Sequence, residues 1–201
     1  MARASQALND SREVHERQEM NVVGVAAGSS FSMLGGRCKG AELQVDVLEC
    51  FHAVPSVGYR VCAVSNPLRA ELRGASGAEL RSRKEAGEEI TMRVATPLFT
   101  FLGDTTERVF DDPLVLASPV VIVECTGVEP RQPPEEIRRW GHIHWQQLEP
   151  VVRAHPAVVF VLIHFSNSLK EASIFHTVLA SALKNVVLWF DSGVVEMAKY
   201  I

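Results

Sequence analysis

Three short, nearly continuous apolar runs constrain this chain more than any other feature. They occupy residues 97–102 (Pro-Leu-Phe-Thr-Phe-Leu), 119–123 (Pro-Val-Val-Ile-Val) and 158–163 (Val-Val-Phe-Val-Leu-Ile). Runs this short and this rich in β-branched residues predict strands buried on both faces, as in a parallel sheet. Each run leads into a residue that can bind a metal or move a proton: Asp104 after Gly103, Glu124, and His164. Ligands of open α/β sheets gather beyond the carboxyl ends of the strands. The pattern therefore predicts Asp104, Glu124 and His164 along one rim.

The rest of the chain fits α/β layers. Residues 43–51 alternate as a strand, a turn follows at Pro55-Ser56-Val57-Gly58, and 59–64 read as a second strand. Residues 21–37 suggest an edge strand or hairpin. Residues 1–20 are polar and aperiodic and are expected to form a disordered or weakly helical tail, with 21–201 as one domain. The Arg- and Glu-rich stretch 68–89 predicts one or two short surface helices, read as a solvated excursion or as an RNA-facing basic surface. Residues 135–154 have helical spacing broken at Gly141-His142, residues 168–184 predict an amphipathic helix, and 186–190 predict the last strand.

Composition narrows the function classes. The formal net charge of -4 argues against a broadly basic nucleic-acid surface, though not against a local patch. No apolar run approaches the roughly 20 residues of a membrane span, and no signal-like apolar stretch lies near Met1. Cys38, Cys50, Cys62 and Cys125 form no CxxC pair. They predict buried, reduced thiols and an intracellular setting, with cytoplasm, nucleus and organelle left open.

A water-activating metal needs several nitrogen or oxygen ligands converging on it and one open position. His52 at a strand end, Asp104, Glu124 and His164 suit that role. An Asp directly after a Gly can reach inward without backbone crowding and bridge two metals. His142, in Gly141-His142-Ile143-His144, is the candidate to protonate a leaving oxygen, and Glu124 is suited to orient its imidazole and raise its pKa. His15, His155 and His176 read as solvent-facing or satisfied histidines, and His144 as structural.

Five motifs in order then carry a resemblance: Phe51-His52-Ala53-Val54-Pro55, Phe101-Leu102-Gly103-Asp104-Thr105-Thr106, Val123-Glu124-Cys125-Thr126, Trp140-Gly141-His142 and Leu162-Ile163-His164-Phe165-Ser166. Over residues 45–190 the chain resembles the ribonuclease Z family of the metallo-β-lactamase superfamily. These endonucleases trim the 3′ trailer from precursor tRNA, and the short plant form is the nearest in pattern. Residues 68–77 fit the insert after the first motif there. The resemblance implies the C-terminal half of a metallo-β-lactamase αββα sandwich and a zinc cofactor. It implies His52 as ligand of one zinc, Asp104 as bridge, His164 as ligand of the second, and His142 with Glu124 as the pair assisting proton donation.

Departures shape the expectation. The family's His-x-His-x-Asp-His cluster is missing, so three of its seven metal ligands are present. Asn167-Ser168-Leu169 stands where the family continues with an Arg and a Tyr. The chain is therefore expected to be half of a zinc-dependent phosphodiesterase, inactive alone, acting on precursor tRNA once a homo-oligomer or a chain with the missing half completes it. The other reading is a non-catalytic interaction module in an RNA-linked or other assembly. A half sandwich should also leave a sheet face uncovered, expected around Val45, Val47, Val61 and Val121.

Overall fold

A computed structural model describes residues 22–38 and 41–201. The tail expected over 1–20, with His15, lies outside the described residues. The strands are β1 (Ser30–Cys38), β2 (Ala41–Cys50), β3 (Ser56–Ser65), β4 (Val94–Phe101), β5 (Val120–Glu124), β6 (Val159–Ile163), β7 (Val186–Phe190) and β8 (Gly193–Glu196). The α-helices are α1 (Gly77–Glu85), α2 (Pro134–Arg139), α3 (Trp145–Ala154) and α4 (Glu171–Leu179). All eight strands form one sheet in sequential order. β1 to β4 are an antiparallel meander, β4 to β7 run parallel, and β8 returns antiparallel at the far edge.

The alternation of side chains along a strand gives the sheet two unlike faces. One row crosses it through Asp46, Arg60, Thr100, Val121, Phe160 and Val186. On the parallel strands this row and its neighbours Val123, Leu162 and Leu188 are fully covered. They pack against Trp145, Leu148 and Val152 of α3, Ile174 and Val178 of α4, and Val109 and Val115 of the 3-10 turns before β5. At the meander end the same face turns polar. Asp46 accepts hydrogen bonds from Ser30, Gln44 and Arg60, the last at 2.7 Å. Burial alone would raise the Asp46 carboxyl, but these donors outweigh it and hold it below the usual range.

The neighbouring row runs through Val47, Tyr59, Phe101, Ile122, Val161 and Val187 on the opposite face. This face contributes nothing to the main core cluster. It is closed at the meander, where Val45, Val47 and Val61 are only 4%, 2% and 8% exposed. It opens along the parallel strands, where Phe101 is 40% and Trp189 55% exposed. Two expectations are corrected here. The three apolar runs are sealed on one face only, because all the packed helices lie on that side. The open face is centred on Phe101, Ile122, Val161 and Trp189, not on Val45, Val47, Val61 and Val121; Val121 belongs to the helix face and is fully buried.

Other differences have local causes. The helix expected over 168–184 is shorter. Ser166 and Ser168 bond each other and Ser166 accepts the Ser168 N–H, a turn that competes with helical bonding. Ala182, at φ 53°, stops the far end. Leu183 still packs into the core from the flanking turn, so the apolar spacing outlasts the helix. Beyond the last expected strand, Asp191-Ser192-Gly193 turns the chain into β8, with Gly193 at φ 143°. Cys50, Cys62 and Cys125 are buried free thiols, as expected. Burial pushes all three thiols up, so none is a ready thiolate. No helix among the described residues is long and apolar enough to cross a membrane.

The two faces should respond differently to charge. Trp189→Lys on the open face is expected to change stability by no more than about 0.5 kcal/mol and to reduce self-association. Leu162→Lys on the covered face buries an unpaired charge and should prevent folding. Urea denaturation together with light scattering separates the outcomes.

Candidate metal centre

β2, β4, β5 and β6 point the same way, so their carboxyl ends share one rim. His52 follows β2, Asp104 follows β4, Glu124 ends β5 and His164 follows β6. His142 reaches the rim from the turn between α2 and α3.

Glu124 is the most tightly held of the five, at 1% exposure. Its Oε1 accepts from the Thr105 N–H at 3.2 Å and from His142 Nδ1–H at 2.8 Å. Its Oε2 accepts from the Thr126 N–H at 3.0 Å and the Thr126 hydroxyl at 2.8 Å. A carboxylate satisfied on four sides tolerates burial. The bond to His142 fixes the tautomer: the proton sits on Nδ1 and Nε2 faces the site. That hydrogen bond raises the His142 pKa, against the opposing pull of burial and with help from the negative charges of Glu124 and Asp104.

Gly141 makes the approach of His142 feasible. Its φ is 88°, and a Cβ there would sit 2.8 Å from His52 Cδ2 and 2.9 Å from the Ala53 nitrogen. A side chain at 141 would therefore both strain the turn and push the His52 loop away. The His52 and His142 rings lie 4.9 Å apart, and the His142 and His164 rings stack at 5.4 Å. His142 thus stands between the two. His164 Nδ1 is 3.8 Å from Asp104 Oδ1. His164 itself adopts φ 57°, uncommon for a side-chain-bearing residue. The Thr126 hydroxyl lies 3.1 Å from His164 Nδ1 and 3.2 Å from its carbonyl oxygen. Donating to Glu124, that hydroxyl accepts the Nδ1 proton of His164 and leaves Nε2 with a free lone pair.

Two overlapping triads have ligand atoms mutually within 4.8 Å: His52, Asp104 and His142, and Glu124, His142 and His164. Both triads count His142; with His142 held by Glu124, Asp104 with His52 on one side and His164 on the other are left to hold an ion, and neither group reaches three ligands by itself. His52 fits least readily. Its Nδ1 accepts from the Val54 N–H at 3.2 Å, which leaves the ring proton on Nε2. Ligation through Nε2 requires that proton to leave.

The structure sets all five sequence-predicted site residues along one rim, in two groups that share His142; His52 and His164 fall in different groups. His144 is not among them: its Nδ1 caps α3 by accepting from Gln146, and its Nε2–H meets the Glu129 carbonyl at 3.2 Å. His155 is tied to the Val151 carbonyl at 2.8 Å, and His176 is exposed. Sequence reasoning gave Thr105 and Thr126 no role, although both hold Glu124. Their only signal was position, one or two residues past a strand-end carboxylate.

No protein-family model matches the chain. Among curated proteins of Arabidopsis thaliana, the chain is 31% identical to tRNase Z TRZ1 over 162 residues, covering 77% of this chain and 56% of that protein. It is 26% identical over 175 residues to chloroplastic tRNase Z TRZ2, covering 83% and 48%. The chain spans about half the length of the curated relatives it matches. Among solved structures it aligns with the metallo-β-lactamase fold protein YhfI of Bacillus subtilis at TM-score 0.47 and 12% identity, covering 77% of this chain and 50% of that one. It aligns with human tRNase Z, short form, at TM-score 0.41 and 17% identity, covering 78% and 43%.

His142 and His144 should titrate on opposite sides of the ordinary histidine value of about 6.5. Burial lowers His144, while Glu124 raises His142. The His142 pairing adds stability below the unfolded value and loses it as pH rises through the raised folded value. His144, neutral in the fold, costs stability as pH falls below its unfolded value. Ring-proton NMR across pH 5 to 9 should resolve the two curves on either side of about 6.5.

Proposed function

We propose that this chain, which matches part of the ribonuclease Z family of metallo-β-lactamase proteins, is one half of a zinc-dependent phosphodiesterase. Its substrate class would be precursor tRNA, cut at the 3′ trailer. The observation that carries this reading is the buried Glu124–His142 pair at 2.8 Å, set on a rim with Asp104, His52 and His164. A structural histidine would not need a buried carboxylate on one nitrogen and an open site on the other.

Asp104 with His52, and His164 from the other side, would contribute ligands to zinc once further ligands join them; zinc when bound supplies hydroxide near neutral pH and stabilises charge on the phosphate. Glu124 keeps His142 Nδ1 protonated and aims Nε2 outward. The imidazolium then gives its Nε2 proton to the leaving oxygen and relaxes to a neutral ring, still tied to Glu124. Thr126 orients both Glu124 and His164, so acid and ligand are positioned by one hydroxyl.

Further ligands are needed for two ions. The open face supports a second polypeptide layer as their source: its apolar row borders the strands that carry Asp104, Glu124 and His164. The chain spans about half the length of the curated relatives it matches, which leaves room in them for such a layer. The bare face and the small ligand set also support a second reading, a non-catalytic subunit that only docks.

The test is a mixture experiment. Alone, the chain should bind no more than one zinc by metal analysis and leave precursor tRNA uncut. Mixed with the segment of the 31% identical relative that lies outside the match, it should cut the trailer, and His142→Ala should lower that rate by about 10²-fold or more. Two tight zincs with cleavage by the chain alone would refute the half-enzyme reading. Binding of the segment without cleavage would favour the docking subunit.

A further inference from the structure

Beside His52 lies a cleft of ≈ 540 Å³ whose far wall carries Arg108, Arg138 and Arg139. We propose that this cleft is a phosphate subsite, holding a backbone phosphate of single-stranded RNA next to the one positioned at the rim. The inference rests on the phosphodiesterase reading for its substrate class, but its evidence is separate.

Two of the three arginines are not balanced by acid. Arg138 pairs with Glu107 at 3.0 Å. Arg108 and Arg139 have no carboxylate within ion-pair distance among the described residues. The remaining acid lining the cleft is Glu49, which is exposed. Arg108 is not loose, because its guanidinium lies 4.2 Å over the Phe51 ring. Stacking fixes the plane and leaves the N–H edges free to donate, an arrangement that suits phosphate oxygens.

The floor of the cleft is held in place from below: the Thr106 N–H bonds to the Phe51 carbonyl at 3.0 Å, which ties the Phe51 ring under Arg108 to the loop after β4.

The experiment measures binding, which does not require cleavage. The full chain is titrated into a fluorescent single-stranded RNA heptamer at several salt concentrations, and anisotropy is read. Wild type should bind with a clear salt slope. Arg108→Gln/Arg139→Gln should weaken binding about tenfold or more and flatten the log–log slope by about 0.7 to 1.4, one phosphate contact per arginine removed. Arg153→Gln, on α3, paired with Glu149 and not lining the cleft, should keep the RNA affinity. No RNA binding by wild type at low salt, or unchanged affinity and slope in the double arginine variant, would overturn the subsite. Failure of trailer cleavage in the mixture experiment, with these binding results intact, would sink the enzyme reading and leave the subsite standing.

Discussion

The rim is organised by one buried carboxylate. Glu124 accepts hydrogen bonds from the loop after β4, the turn after β5 and the histidine before α3. Through Thr126 it also reaches His164 after β6. Four separate segments are therefore referred to one pair of oxygen atoms. A group buried at 1% exposure holds only if every lone pair is used. Removing one donor would unbalance the rest, so the geometry of the site is cooperative.

Catalysis and assembly draw on the same sheet by opposite routes. The helix face is sealed by α3, α4 and the 3-10 turns, and this packing gives β5 and β6 a rigid frame on which strand-end residues can be placed to fractions of an ångström. The other face is apolar but only partly covered. Its row through Phe101, Ile122, Val161 and Val187 follows the same register that carries the rim. A layer packed there by its own inward side chains would sit about 10 Å away. Whatever covers the face therefore also arrives close to the open side of the ligand set.

Much of this was legible in the sequence, for definite reasons. Strand ends were readable at Asp104, Glu124 and His164 because continuous β-branched runs stop abruptly, and the parallel topology then dictates that the stops align. The break at Gly141 was readable because a helix does not tolerate it. The true extent of α4 was not, since apolar spacing continues through Leu169 and Leu183 although serine turns and Ala182 end the helix. β8 was missed because Gly193-Val-Val-Glu196 is a four-residue edge strand with little pattern of its own. One-sided covering of the apolar runs was also hidden, because a face awaiting a partner has the same composition as a buried one. Thr105 and Thr126 hold the site through backbone amides and hydroxyls, and such contacts depend on folded geometry rather than residue pattern.

Glu124 sets the protonation state and position of His142. Glu124→Gln keeps the shape and removes the negative charge, and the His142 ring can be followed by NMR through a pH titration. The account predicts that the His142 pKa falls to or below the ordinary value of about 6.5, because burial remains while its counterweight is gone. A variant that stays folded with His142 still raised above that value would contradict the account and place the source of the shift elsewhere on the rim.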